Sequence, residues 1–283
     1  MTKIAIIADT SQDFTFELGK RYGIEVIPYQ VQLDDQHYLD QVDLDSRTFY
    51  QRIDQCDRLS TGTPSLQWVI DRLKKLEEAG YEQAIALTSS AKLTGMSQLY
   101  GVVQGDFDKL KLTLFDTQSI ASGAGLLTLY AAKLRDQGKS VLEIMQALDQ
   151  ASQQLKIYAV FRTLKYLIKG GRFNKYVGMI GSFLNIHPLL TVKEGEVSMI
   201  SRTRGRNKSF KALVQQIQNV AANHENYYLT IFGANNPREV DQLKTALHKE
   251  IDQAELYLET ELTPVLGVHS GPEAVGVAIL PLD

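Results

Sequence analysis

Gln83-Ala84-Ile85-Ala86-Leu87-Thr88-Ser89-Ser90-Ala91-Lys92-Leu93-Thr94-Gly95 opens with a short apolar run and empties into a loop dense in hydroxyls. Gln83 to Leu87 is too short for a helix and lacks the alternation of a half-exposed strand, so it reads as a strand buried on both faces. The same arrangement stands on either side of it. Ile4 to Ala8 runs into Asp9-Thr10-Ser11-Gln12-Asp13, and Lys111 to Phe115 runs into Asp116-Thr117-Gln118-Ser119. Helical segments separate these strands. One is expected from Phe14 to Arg21, capped by the Asp9 to Asp13 turn and closed by Gly23, after which Ile24 to Val31 is extended. Another opens with Thr63 as N-cap and Pro64 in the first turn, carries Leu66, Val69, Ile70, Leu73 and Leu76 on one stripe, and ends at Gly80. Gly123 to Leu134 and a Ser140-capped segment to Leu155 complete the alternation. Strands interleaved with helices predict an α/β unit with a largely parallel sheet, and in such sheets ligands bind at the carboxyl ends of the strands.

The pattern changes after Leu155, which places a boundary between an N-terminal unit, 1–155, and a C-terminal unit, 156–283. From Tyr158 the chain reads strand, short helix and the turn Lys169-Gly170-Gly171-Arg172. A helical turn follows, then strands Leu189 to Val192 and Val197 to Ile200 around Glu194-Gly195, and a helix from Lys208 to Ala222. Strand Tyr227 to Phe232, helix Pro237 to Ile251 and strands Ala254 to Glu261 and Ala274 to Leu280 finish it, with Gly267-Val268-His269-Ser270-Gly271-Pro272 as the last loop. No repeat or linker separates the halves, so they are expected to pack on each other.

Composition excludes several classes. The chain has 283 residues, 44% of them hydrophobic, and a formal net charge of −3, with a pI near 6.0. A broad positive field for nucleic acid or anionic membrane is absent. Cys56 is the one cysteine, so no internal disulfide forms, and it reads as a small core residue. The apolar run at the N-terminus is too short for a signal h-region, and no later run reaches spanning length, which predicts a soluble, cytoplasmic protein without stable membrane insertion. Neither Gly-x-x-x-x-Gly-Lys-Ser/Thr nor Gly-x-Gly-x-x-Gly follows a strand, so both nucleotide cradles are missing. The five histidines, His37, His187, His224, His248 and His269, lack metal-ligand spacing, and Thr117 to Ala121 is no nucleophile elbow. No catalytic group, metal or cofactor is expected.

What remains is a set of neutral donors on loops, Thr61, Thr63, Ser89, Ser90 and Thr94, beside the helix start at Thr63-Pro64. Such donors and the positive end of a helix dipole suit a carboxylate. Asp9 and Asp13 read as helix caps. Two basic clusters, Lys165, Lys169, Arg172 and Lys175, then Arg202, Arg204, Arg206, Lys208 and Lys211, read either as solvated faces or as contacts for something anionic. His269 is balanced between a structural and a functional reading.

Taken in order, Ile7-Ala8-Asp9-Thr10-Ser11-Gln12-Asp13, Thr61-Gly62-Thr63-Pro64-Ser65, Ser90-Ala91-Lys92-Leu93-Thr94-Gly95, Asp116-Thr117 with Ser122-Gly123-Ala124-Gly125, Leu167-Ile168-Lys169-Gly170-Gly171-Arg172, His187-Pro188-Leu189-Leu190 and Gly267 to Pro272 resemble the DegV family of bacterial fatty-acid-binding proteins. That resemblance covers nearly the whole chain. It implies two α/β subdomains with an apolar tunnel between them, a long-chain fatty acid such as palmitate as ligand, and a fatty acid kinase as partner. The carboxylate would be held by the Thr-Ser-x-Pro and Leu-Ser-Gly-Thr loops, whose hydroxyls fall on Thr61 and Thr94, with Thr63, Ser90 and Gly95 in the same loops and His269 completing the network. Arg172, Arg202 and Arg204 would meet the kinase or its phosphate-bearing product. Gly62, Thr63, Thr94 and Met96 depart from the family's usual residues and would reshape the head-group site without abolishing it. Two other classes compete: a hydrolase or transferase using Asp9, Ser90 or His269, and a nucleic-acid-binding role for Arg202 to Lys211.

Overall fold

A computed structural model describes residues 3–176, 187–202 and 205–283. Its first sheet is the parallel one that the apolar runs predict: β1 (Ile4–Asp9), β2 (Ile24–Ile27), β6 (Gln83–Thr88) and β7 (Lys111–Asp116), in the order β2-β1-β6-β7. Helices α1 (Phe16–Tyr22), α3 (Leu66–Glu78) and α4 (Met96–Val103) belong to this half. Because β1, β6 and β7 are neighbours and parallel, their three polar loops emerge side by side.

Several boundaries differ from expectation. Ile24 to Val31 is two strands, because Pro28 cannot donate to a ladder; β2 ends at Ile27, and β3 (Gln30–Leu33) joins a separate antiparallel sheet. That sheet, in the order β4-β3-β5 with β4 (Gln36–Leu39) and β5 (Leu59–Gly62), has no counterpart in the sequence reading, nor has α2 (Ser46–Arg52). Asp9 caps only a 3-10 turn over Thr10–Gln12, and Thr15 caps α1. The cap of α3 is Ser65, which accepts from Trp68 N, so Thr63 and Pro64 lie in the loop before the helix. Val69 and Leu73 are fully buried there, whereas Leu66, at the helix start, is exposed.

The second half carries a mixed sheet in the order β10-β9-β8-β13-β11-β12. Its strands are β8 (Lys156–Val160), β9 (Leu189–Lys193), β10 (Glu196–Ser201), β11 (Tyr227–Gly233), β12 (Leu256–Glu261) and β13 (Val275–Pro281), and only β11 and β12 pair in parallel. Two helices, α5 (Ala121–Asp136) and α6 (Val141–Gln154), precede this sheet; α7 (Lys165–Lys169), α8 (Arg206–Ala221), α9 (Pro237–Ala246), α10 (His248–Gln253) and α11 (Pro264–Ser270) lie among its strands. Thus Pro237 to Ile251 is two helices, and the expected last loop is largely a helix. The helical turn expected after Arg172 is a short 3-10 turn at Asn174–Tyr176; residues 177–186, like Arg204, lie outside the described residues.

α5 joins the halves. It contacts β1 and β6 of the first sheet and β8, β11 and β13 of the second. A helix between two sheets must be apolar or small nearly all round, and Ala121-Ser122-Gly123-Ala124-Gly125-Leu126-Leu127 is buried throughout. A Cβ on Gly125 would lie 2.5 Å from the carbonyl oxygen of Gln12, so only glycine permits that approach. One continuous core includes Ile7 and Ile85 of the first sheet, Leu127 of α5, and Tyr228 and Ala278 of the second sheet. The carboxyl ends of β1, β6 and β7 are held beside the second sheet as a result.

Candidate functional site

The three loops form one buried network. Ser11 Oγ donates to the Asp9 carboxylate and lies 2.8 Å from Ser89 Oγ. Gln12 Nε2 donates to Leu87 O at 2.7 Å, while its oxygen accepts from Thr128 Oγ1 of α5 at 2.6 Å. Ser90 N donates to Ser119 O at 2.7 Å. Asp9 and Asp13 therefore do more than cap helices. Asp13 accepts from Ser122 of α5, whose hydroxyl is also 3.1 Å from Thr260 Oγ1 of β12. Asp40 accepts from Val265 N, 3.3 Å away, at the start of α11. Burial pushes these carboxyls up, Asp9 to about 6, Asp13 to about 7 and Asp40 to about 8.

The unforeseen antiparallel sheet and α11 bring the other wall. Pairing of β5 with β3 sets Thr61 opposite Val31, and Tyr50 of α2 donates to Leu262 O at 3.1 Å, which anchors the approach to α11. Phe49 packs so tightly on Gly267 that a Cβ there would stand 2.3 Å from its ring. His269, on the last turn of α11, then meets Thr61, with Nε2 2.9 Å from Oγ1. Gly170 backs the imidazole, since a Cβ on it would fall 2.2 Å from Nδ1. Burial, and then repulsion from Arg172, push His269 down to about 3, so the ring is neutral at pH 7. Nδ1 has no partner among the described residues. Such an imidazole is a weak base and would do little to activate Thr61 as a nucleophile.

These groups surround a cavity of about 240 Å³. Thr61, Thr63, Thr94, Gly95, Arg172 and His269 all line it, as do Ser11 and Tyr29, which the sequence reading did not single out. Arg172, expected to meet the kinase or its phosphate-bearing product, is half-buried, donating to Leu93 O at 3.3 Å and Gly170 O at 2.6 Å, and among the described residues no carboxylate lies within ion-pair distance. Ser90 does not line the cavity: its hydroxyl donates to Gly195 O at 2.7 Å and ties the loop to the hairpin of β9 and β10. Arg202 is exposed just beyond β10. The basic clusters are divided further, because Arg206 pairs with Glu239 and Glu273, and Lys175 with Glu196. Cys56 is partly buried against the core, with its thiol pushed up by burial.

A second, almost wholly apolar cavity adjoins the first. Ile157, Ala159, Phe161, Leu190, Val192 and Phe232 form its face on the second sheet. Ile120, Leu266 and His269 line both cavities, so the polar space and the apolar one lie against each other across these side chains. The apolar space is the smaller, about 90 Å³. A donor-lined end with a guanidinium and an apolar extension can hold an amphipathic anion. Among the described residues no group of three or more His, Cys, Asp or Glu is placed to hold a metal, and no helix is long and apolar enough to cross a membrane.

Comparison with known proteins matches this arrangement over its whole length. The sequence model of the DegV family, described as "Uncharacterised protein, DegV family", matches residues 3–282. The chain belongs to the DegV family. A DegV domain-containing protein of Clostridium acetobutylicum is 32% identical over 282 residues, covering 99% of both chains. Two solved DegV structures are similar throughout. One, a DegV lipid binding protein from Thermotoga maritima, is 25% identical with a TM-score of 0.87, over 100% of this chain and 99% of that one. The other, from Bacillus subtilis and described as a fatty acid binding protein, is 22% identical with a TM-score of 0.91, over 99% and 100%.

Proposed function

We propose that this DegV protein binds one long-chain fatty acid and presents its carboxylate to a partner fatty acid kinase in the cytoplasm. The observation that carries the reading is the adjacency of the donor-lined cavity and the apolar one, which share Ile120, Leu266 and His269 as lining residues. The carboxylate takes hydrogen bonds from Thr94 and from the Thr61 hydroxyl, which itself accepts from His269 Nε2, with Thr63 and Gly95 beside it, and Arg172 supplies the counter-charge. Charge-assisted bonds of this kind offset the desolvation of a buried carboxylate. The tail extends along β8 and β9, between the units 1–155 and 156–283. At about 0.8 kcal/mol per CH2, a chain of roughly sixteen carbons gains on the order of ten kcal/mol before the costs of association. The likeness to DegV structures described as binding lipid or fatty acid supports this reading.

No nucleotide cradle stands in the chain, so ATP and metal come from the kinase, which forms the acyl phosphate. Arg202, exposed beyond β10, and Arg204 are the residues proposed to meet the kinase. The test is ATP-dependent acyl phosphate formation, trapped with hydroxylamine, by a purified bacterial fatty acid kinase supplied with palmitate on this protein. Product should form with the wild type and fall with Arg202→Ala at unchanged palmitate affinity. Absence of product with palmitate-loaded wild type would remove the kinase half of the proposal.

A further inference from the structure

Tyr29 lies where the chain leaves the parallel sheet for the antiparallel one. Its backbone is tied on both sides, its N–H donating to Thr10 Oγ1 at 3.2 Å and its carbonyl accepting from Asp40 N at 2.9 Å. The side chain is 4% exposed and lines the head-group cavity. Its hydroxyl is buried and makes no hydrogen bond among the described residues, although the Ser11 and Thr94 hydroxyls stand near it. Ser11 gives its proton to Asp9, and Thr94 points at Ser89 O and Ser90 O, 3.4 Å from each.

A phenol that served packing alone would gain nothing from an oxygen left without a partner in the interior. At 4% exposure the ring is enclosed, which holds the hydroxyl in the interior. The Thr61–His269 pair lines the same cavity and offers its own donor, so a ligand with two acceptor oxygens could engage both groups. We infer that Tyr29 determines head-group specificity in this site: its hydroxyl donates to one oxygen of a free carboxylate, favouring the carboxylate over neutral head groups on the same chain. The inference rests on the fatty-acid reading above. A charged acceptor makes a hydrogen bond about twice as strong as a neutral one, which is the source of the discrimination. Burial, foremost, holds the phenol proton on to well above its ordinary pKa, so the group remains a donor throughout the physiological range.

Tyr29→Phe removes one hydroxyl and keeps the ring. With the full-length protein, stripped of lipid, dissociation constants for palmitate and hexadecanol are measured for wild type and variant, together with thermal midpoints. Palmitate affinity should fall roughly ten- to hundredfold, the loss expected for a hydrogen bond to a charged group. Hexadecanol affinity should change less than about threefold, and the midpoint of the stripped protein should hold or rise as an unpartnered hydroxyl disappears. Unchanged palmitate affinity would overturn the inference, and so would equal weakening of both ligands or a fallen midpoint, either of which marks a packing role. A wild type that binds neither ligand would overturn the fatty-acid reading itself, and this inference with it. As a second readout, the carboxyl carbon-13 resonance of bound palmitate should differ between the two proteins; identical shifts would also contradict it.

Discussion

Two buried polar regions lie side by side at the carboxyl ends of β1 and β6, and they are opposites. Around the cavity the surplus is of donors: the Tyr29 hydroxyl has no partner, and the Arg172 guanidinium meets only carbonyls, among the described residues. In the adjoining cluster the surplus is of acceptors, with Asp13 Oδ1 and Asp40 Oδ1 unpartnered. The donor surplus opens on about 240 Å³ of space, whereas neither Asp13 nor Asp40 lines that cavity. Unsatisfied donors around a space await an anion. Unsatisfied carboxyl oxygens packed in protein keep their protons, which is why Asp13 and Asp40 are pushed up to about 7 and 8.

The largest effect that sharpens this contrast should come from Arg172→Ala. Removing the one charge that lines the donor region among the described residues is expected to weaken palmitate roughly a hundredfold, as read by displacement of a fluorescent fatty acid, with little change in folding midpoint. Retained affinity would mean that the neutral donors suffice.

The acidic region should answer to pH instead. Between about pH 4 and pH 7 the folded protein keeps a proton on Asp13 that the unfolded chain has released, so the stability this group contributes is complete below pH 4 and is lost as pH rises through 7. Asp40 extends the window to about pH 8. Asp13→Asn should therefore gain on wild type as pH rises from 4 to 8, by an amount on the order of a few kcal/mol in denaturant unfolding. A constant difference across that range would place the proton elsewhere. His269 works in the opposite sense: its pKa is depressed to about 3, so its contribution is present above pH 6.5 and lost as pH falls toward 3.

The smallest effect belongs to Ser90→Ala. Its hydroxyl ties the β6 loop to Gly195 O, so about 1 kcal/mol of stability should go while palmitate affinity stays within about twofold. A large loss of affinity would return Ser90 to the ligand site.

The apolar runs of β1, β6 and β7 and the polar turns behind them declared the parallel sheet, because buried parallel strands carry their signal in composition. The Ser140 capping box was equally open to view. The sheet that carries Thr61 was not: its strands are four residues long and rich in Gln, so their pairing comes from tertiary context. Pro264 to Ser270 is likewise a helix that propensity opposes and burial imposes, which is why His269 was read as a loop residue. Thr61, Thr94 and His269 could be named in advance by family likeness, and the 2.9 Å contact places Thr61 beside His269. Tyr29 could not, since a buried tyrosine looks like any core aromatic until its hydroxyl is found without a partner. Arg172 looked like one member of a basic cluster because sequence gives each lysine and arginine the same charge, and only burial separates them.

The most direct test of the fatty-acid reading is native mass spectrometry of the purified protein followed by lipid extraction, comparing wild type with the Thr61→Ala, Thr94→Ala double variant. One fatty acid per wild-type chain, and depletion on the folded variant, is the predicted result. A wild type that is free of lipid and stays so when offered palmitate would contradict the account.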